Sequence, residues 1–97
     1  MTIGEEGDRQ RAVARLLAAT ARAHHEATGG LNPEWARWYA QRMEPSIEDA
    51  LGVRPDTDSL TGWLLAADER YRSEPQELKW PTAYAAWFME WADDIGR

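Results

Sequence analysis

The sequence predicts an all-α fold: a four-helix bundle built from two similar helical hairpins. Three observations carry that prediction. Apolar residues recur at three- and four-residue spacing through each long segment, and no stretch alternates with a period of two. Gly and Pro fall mostly between those segments, where helices stop and start. Two stretches, WARWYA at 35–40 and WPTAYA at 80–85, each place a Trp four residues before Tyr-Ala.

The first helix is expected to begin behind a loose tail over residues 1–7, with Asp8 as its N-cap. Val13, Leu16, Leu17, Thr20, Ala21, His24 and Thr28 share one face at about 100° per residue, with Arg11, Arg15, Arg22 and Glu26 opposite. Gly29-Gly30 stops it. The second helix opens at NPEW, with Asn32 as cap and Pro33 at the first helical position. Its apolar stripe reads Trp35, Trp38, Tyr39, Arg42 and Met43. Pro45 is expected to end or kink it, leaving PSIEDALG as a short turn-rich helix stopped by Gly52.

VRPDTDS reads as a linker, and the third helix is expected from near Ser59, with Leu60, Trp63, Leu64, Ala67 and Tyr71 inward and Pro75 closing it. The fourth opens at Pro81 and turns Ala83, Tyr84, Trp87, Phe88, Trp91 and Ile95 to the core, with Trp80 at its mouth and Met89 on its far side. The expected organisation is therefore one domain over 8–97, as hairpin 8–52, linker 53–58 and hairpin 59–97.

The halves are alike beyond the shared Trp and Tyr. LLAA at 16–19 recurs at 64–67, an offset of 48, whereas matching helical faces favours 47; the second helices align at 45. Both offsets stay open for the first helices, as does chance similarity between Ala-rich helices.

The stretch AHHEATGGLNPEWARWYAQRM resembles a pattern of small uncharacterised helical-hairpin proteins, in which an Ala-His helix, a Gly- or Asp-rich loop and a Trp-Pro-x-Trp-Tyr-Ala helix start follow in order. The resemblance departs at Ala36, where the pattern has Pro; the second half keeps that Pro as Pro81 but has Ala83 in place of the second Trp. It implies helices and draws attention to His24, Trp35, Trp38 and Tyr39, and it carries no activity.

Composition narrows the function classes. Eleven Lys and Arg against 17 Asp and Glu give a net charge of −6, which speaks against binding nucleic acid or an anionic membrane. There are no cysteines, so disulfides, zinc-thiolate sites and a thiol nucleophile are excluded. MTIGEEGDRQ is neither a signal nor a transit peptide and no stretch is apolar enough to span a bilayer, so the expectation is a cytoplasmic protein. Six Trp against one Phe is a large aromatic content for 97 residues.

Few residues carry chemistry. His24 and His25 are the only histidines, and neighbours on a helix point about 100° apart, so no shared metal is expected. No cofactor is expected either. The acidic pairs Glu48-Asp49, Asp68-Glu69 and Asp93-Asp94 each split across a helix face and read as solvated surface rather than general acid–base pairs. Ser46, Ser59 and Ser73 sit where capping explains them.

Two surfaces remain. Trp87, Phe88 and Trp91 form a candidate interface for a protein partner or a second copy of the chain. His24, Trp35, Trp38, Tyr39 and Arg42 form a candidate pocket between the hairpins, with Arg42 clamping a carboxylate or phosphate. Arg42 otherwise reads as a snorkelling side chain and His24 as a hydrogen-bonded core residue. The leading expectation is a non-enzymatic interaction or accessory protein, of the kind exemplified by small acidic inhibitors and immunity proteins, acting through an aromatic, acid-framed surface. The alternative is a binding protein for a small anionic ligand.

Overall fold

The computed structural model describes residues 4–30, 32–74 and 77–95. Four α-helices account for most of them: α1 (Gly4–Thr28), α2 (Trp35–Leu51), α3 (Thr57–Ser73) and α4 (Trp80–Ile95). Each packs on its neighbours in chain order, α1 also packs on α4, and α2 and α4 touch across the middle. The result is an all-α bundle with a radius of gyration of 13.0 Å.

Local chemistry explains most helix ends. α1 stops because Gly29 and Gly30 adopt φ of 74° and 87°, a left-handed conformation that glycine enters without a Cβ clash. Thr28 caps that end: its hydroxyl donates to the His24 carbonyl at 2.8 Å and accepts from the Gly30 N–H at 3.2 Å. Asp56 caps α3 in extended backbone, its carboxylate accepting from the Ser59 N–H at 2.7 Å. Glu74, the residue before a proline, is extended, as that position favours.

Other ends differ from expectation. α1 is already helical at Gly4, so Asp8 is no cap; it lies within the helix and pairs with Arg11. Residues 1–3 of the expected tail, Pro75 and the side chain of Ile95 lie outside the described residues. Asn32 does its capping one step early, accepting from the Glu34 N–H at 2.9 Å in a turn that precedes Trp35. Pro45 does not end α2, which runs through it to Leu51. An interior proline costs about 3 kcal/mol. Continuing buries Ile47, Ala50 and Leu51, and a fully buried aliphatic side chain contributes about 1.5–3 kcal/mol.

The core is one cluster drawn from all four helices. Val13 and Leu17 of α1, Met43 and Ile47 of α2, Leu60 and Leu64 of α3, and Phe88 of α4 are fully buried. By burial, an offset of 47 rather than 48 sets core positions of α1 against core positions of α3. Val13 and Leu17 match Leu60 and Leu64 at an offset of 47, as buried Thr20 matches buried Ala67. At 45, Tyr39, Ala40 and Met43 match Tyr84, Ala85 and Phe88, and all six are buried.

The inward face of α2 is not the stripe expected from its aromatics. Its centre runs through Ala36, Ala40, Met43 and Ile47. At about 100° per residue, Arg42 lies roughly 130° from that centre, and it is exposed. The small alanines are buried on that line, and the larger Trp35 and Trp38 are half-buried beside it.

Candidate functional site

Trp35 and Trp80 open α2 and α4, and Tyr39 and Tyr84 follow one turn on. Side chains four apart on a helix stack along one face. Here each pair meets as a corner: Trp35 and Tyr39 lie 5.3 Å apart at 85°, Trp80 and Tyr84 5.0 Å apart at 66°. The preceding helix of each hairpin adds a third ring. His24 lies 5.2 Å from Tyr39, and Tyr71, its counterpart at an offset of 47, lies 6.2 Å from Tyr84.

The two corners face one open cleft of about 370 Å³ at the seam between the hairpins. Besides Trp35, Tyr39, Trp80 and Tyr84, it is lined by Tyr71 and by the matched pair Ala21 and Asp68. Among the described residues, Asp68 is the single charged lining residue.

Three polar groups of the cleft, on Asp68, Tyr71 and Tyr84, are already tied. Asp68 accepts from the Tyr84 hydroxyl at 3.3 Å through Oδ1 and pairs with Arg72 at 2.8 Å through Oδ2. Tyr71 donates to the Leu78 carbonyl at 2.8 Å, tying the segment before α4 to α3. Burial pushes the Tyr84 phenol far above its ordinary pKa, and the negative charge of Asp68 and the hydrogen bond to it push the same way. Burial alone raises Tyr39.

Of the residues singled out from sequence, Trp35 and Tyr39 line this cleft. His24 and Trp38 sit beside them without lining it: His24 is buried and packs edge-on against Trp38 at 5.0 Å and 71°. Arg42 is exposed and contributes nothing to the lining. Sequence reasoning missed Asp68, Tyr71, Trp80 and Tyr84 as partners of Trp35 and Tyr39. The signal was there in the repeat, because the 47 and 45 offsets map the first-half residues Ala21, His24, Trp35 and Tyr39 onto them. Asp68 had been read as solvated surface; it is instead half-buried at the cleft wall.

The expected interface trio is placed largely inside the chain. Phe88 is fully buried and Trp87 is 7% exposed beneath Arg70, whose Cζ lies 4.5 Å above its ring. Trp91 is half-buried against Trp63 and Phe88, at 5.8 and 5.9 Å. Met89, expected on the far side, is half-buried against the core. The large hydrophobics exposed among the described residues are Leu65 and Leu78.

Among the described residues, no group of three or more His, Asp or Glu side chains is placed to hold a metal ion, and no helix is long and apolar enough to cross a membrane. Comparison with known proteins found no matching family model, no similar curated protein and no similar solved structure. The resemblance to helical-hairpin proteins thus stands at its coarser level, a small all-α protein of four helices.

Proposed function

We propose that this chain is a non-enzymatic binding protein whose interhairpin cleft receives an organic cation. One observation carries the reading: two aromatic corners, Trp35–Tyr39 and Trp80–Tyr84, line a cleft whose one charged lining residue, among those described, is the carboxylate of Asp68. Aromatic faces are negative and attract cations, by about 0.5–1 kcal/mol per contact when exposed and about 2 when desolvated. The net charge of −6 raises the local concentration of cations. The volume of about 370 Å³ lies near the small end of ligand sites. Tyr39 and Tyr84 have phenols pushed upward, away from proton exchange near neutrality, which favours binding over acid–base chemistry.

An anionic ligand has less support, because no Lys or Arg is among the lining residues described and Arg42 points to solvent. The interaction role expected first from the sequence uses the same cleft when the cation is a partner's lysine or arginine side chain. Trp emission titrations separate these sources. Tetramethylammonium chloride, a short Lys/Arg peptide and sodium acetate are added in parallel at matched ionic strength. We expect saturable changes with a cation and none with acetate. Saturation by the peptide alone assigns the cation to a protein partner. A response to acetate alone, or R42A abolishing the signal, would refute the reading.

A further inference from the structure

We infer that the cleft selects a fully alkylated ammonium over a primary one, an inference that rests on the cation reading above. A primary ammonium carries three N–H donors and is strongly hydrated, so it enters a site only where acceptors replace its water. A tetraalkylammonium has no N–H to satisfy and a weakly held hydration shell, and it draws its stabilisation from ring faces.

The cleft is built for the second kind of ion. Its one carboxylate already serves two donors, with the Tyr84 hydroxyl on Oδ1 and the Arg72 guanidinium on Oδ2. The indole N–H groups of Trp35 and Trp80 are donors and offer an ammonium nothing. Beyond the tyrosine hydroxyl oxygens and the remaining lone pairs of Asp68, what it offers in quantity is aromatic surface, set in two corners of 85° and 66° on opposite hairpins. Asp68, its charge partly offset by Arg72, then acts as a fixed counter-charge beside the rings rather than as a hydrogen-bond acceptor for the ligand. Arg72 reinforces the preference, because a primary ammonium that sought Asp68 directly would compete with a cation already bonded there at 2.8 Å.

Isothermal titration calorimetry with tetramethylammonium and methylammonium chlorides at matched ionic strength tests this. We expect tetramethylammonium to bind at least about tenfold tighter, the equivalent of one or two ring contacts. R72A, which frees one carboxylate oxygen, should narrow that ratio toward one; Arg72 is an exposed surface residue, so the variant is expected to fold. Circular dichroism confirms that it does. Equal or tighter binding of methylammonium by the wild type overturns the selectivity while leaving the cation reading intact. A ratio unchanged by R72A overturns the assignment of selectivity to the occupied carboxylate. Binding of neither ion overturns the selectivity, and it overturns the cation reading as well when the Lys/Arg peptide also fails to bind.

Discussion

Phe88 separates two accounts of α4. As part of an exposed interface it would contribute little to folding; as a fully buried ring it anchors the core. Substitution by alanine tests which holds. A buried aromatic removes roughly 150–250 Å² from water. At about 25 cal/mol per Å² that is roughly 4–6 kcal/mol for the residue, part of which the alanine Cβ retains. The ring also contacts Trp63 at 5.5 Å and Trp91 at 5.9 Å, and such pairs add about 0.5–1.5 kcal/mol each. The expected loss for F88A is therefore about 3–5 kcal/mol, as for other large-to-small core changes. For a chain of this size that corresponds to a fall in Tm of roughly 12–40 °C. Urea unfolding followed by circular dichroism gives the value, with the midpoint falling and the slope unchanged. Leu65, which is 50% exposed, supplies the control, since L65A should stay within about 0.5 kcal/mol of wild type. An F88A loss no larger than that of L65A would refute the burial of this ring.

Four further outcomes follow from the same geometry. Y84F removes a 3.3 Å bond to a partly exposed carboxylate and should cost about 1 kcal/mol at pH 8, the low side of charge-assisted bonds. Because the folded phenol titrates above the ordinary tyrosine value of 10.0, its stabilisation is complete below pH 10 and is lost as pH rises, by at most about 1.4 kcal/mol per unit before solvent screening; urea midpoints at pH 8 and 11 should therefore fall less for Y84F than for wild type. P45A should raise stability by up to about 3 kcal/mol, read by thermal unfolding, because the exposed proline lies inside α2. G52A should cost about 1–2 kcal/mol in the same assay, since Gly52 caps α2 at φ 81° and a Cβ would also come within 3.1 Å of the Arg9 guanidinium. A21D places a second carboxylate in the cleft opposite Asp68 and should tighten tetramethylammonium a few-fold, from about 1 kcal/mol of attraction in a water-like setting, as measured by calorimetry.

The fold was legible because helix ends are local chemistry. Gly29, Gly30 and Gly52 each supply a left-handed residue where a helix stops, and no neighbour is needed to see it. The inward face of α2 was less legible, because large aromatics draw attention from the buried alanines. A stripe centred on Trp35 and Trp38 carried Arg42 inward, whereas one centred on Ala36 and Ala40 leaves it in water. Pro45 misled for another reason: its local penalty is real, but three buried residues beyond it, Ile47, Ala50 and Leu51, outweigh it through tertiary packing. Phe88 and Trp87 read from sequence both as core and as candidate interface, because a helix pattern shows which residues share a face and not how many neighbours cover it.

The cleft lay between these cases. Trp35 and Tyr39 were visible as a pair, but their partners sit in the other hairpin and are found only through the register. An offset of 48 aligns LLAA with LLAA by identity; an offset of 47 aligns buried positions and sets Asp68 against Ala21 and Tyr71 against His24. Physical equivalence thus follows the core and not the letters. Most matched core positions hold apolar or small side chains in both hairpins, the exception being buried Trp87, which matches exposed Arg42. The matched cleft positions keep Trp and Tyr but replace Ala by Asp, and Tyr71 lines the cleft where its counterpart His24 stays beside it, so the Trp and Tyr rings are shared and the charge is not. A cleft with rings on two sides and a carboxylate on one is polar across its width, and a bound cation should sit nearer α3 than α1. The site is thus read from what the second hairpin changes within a frame that both hairpins keep.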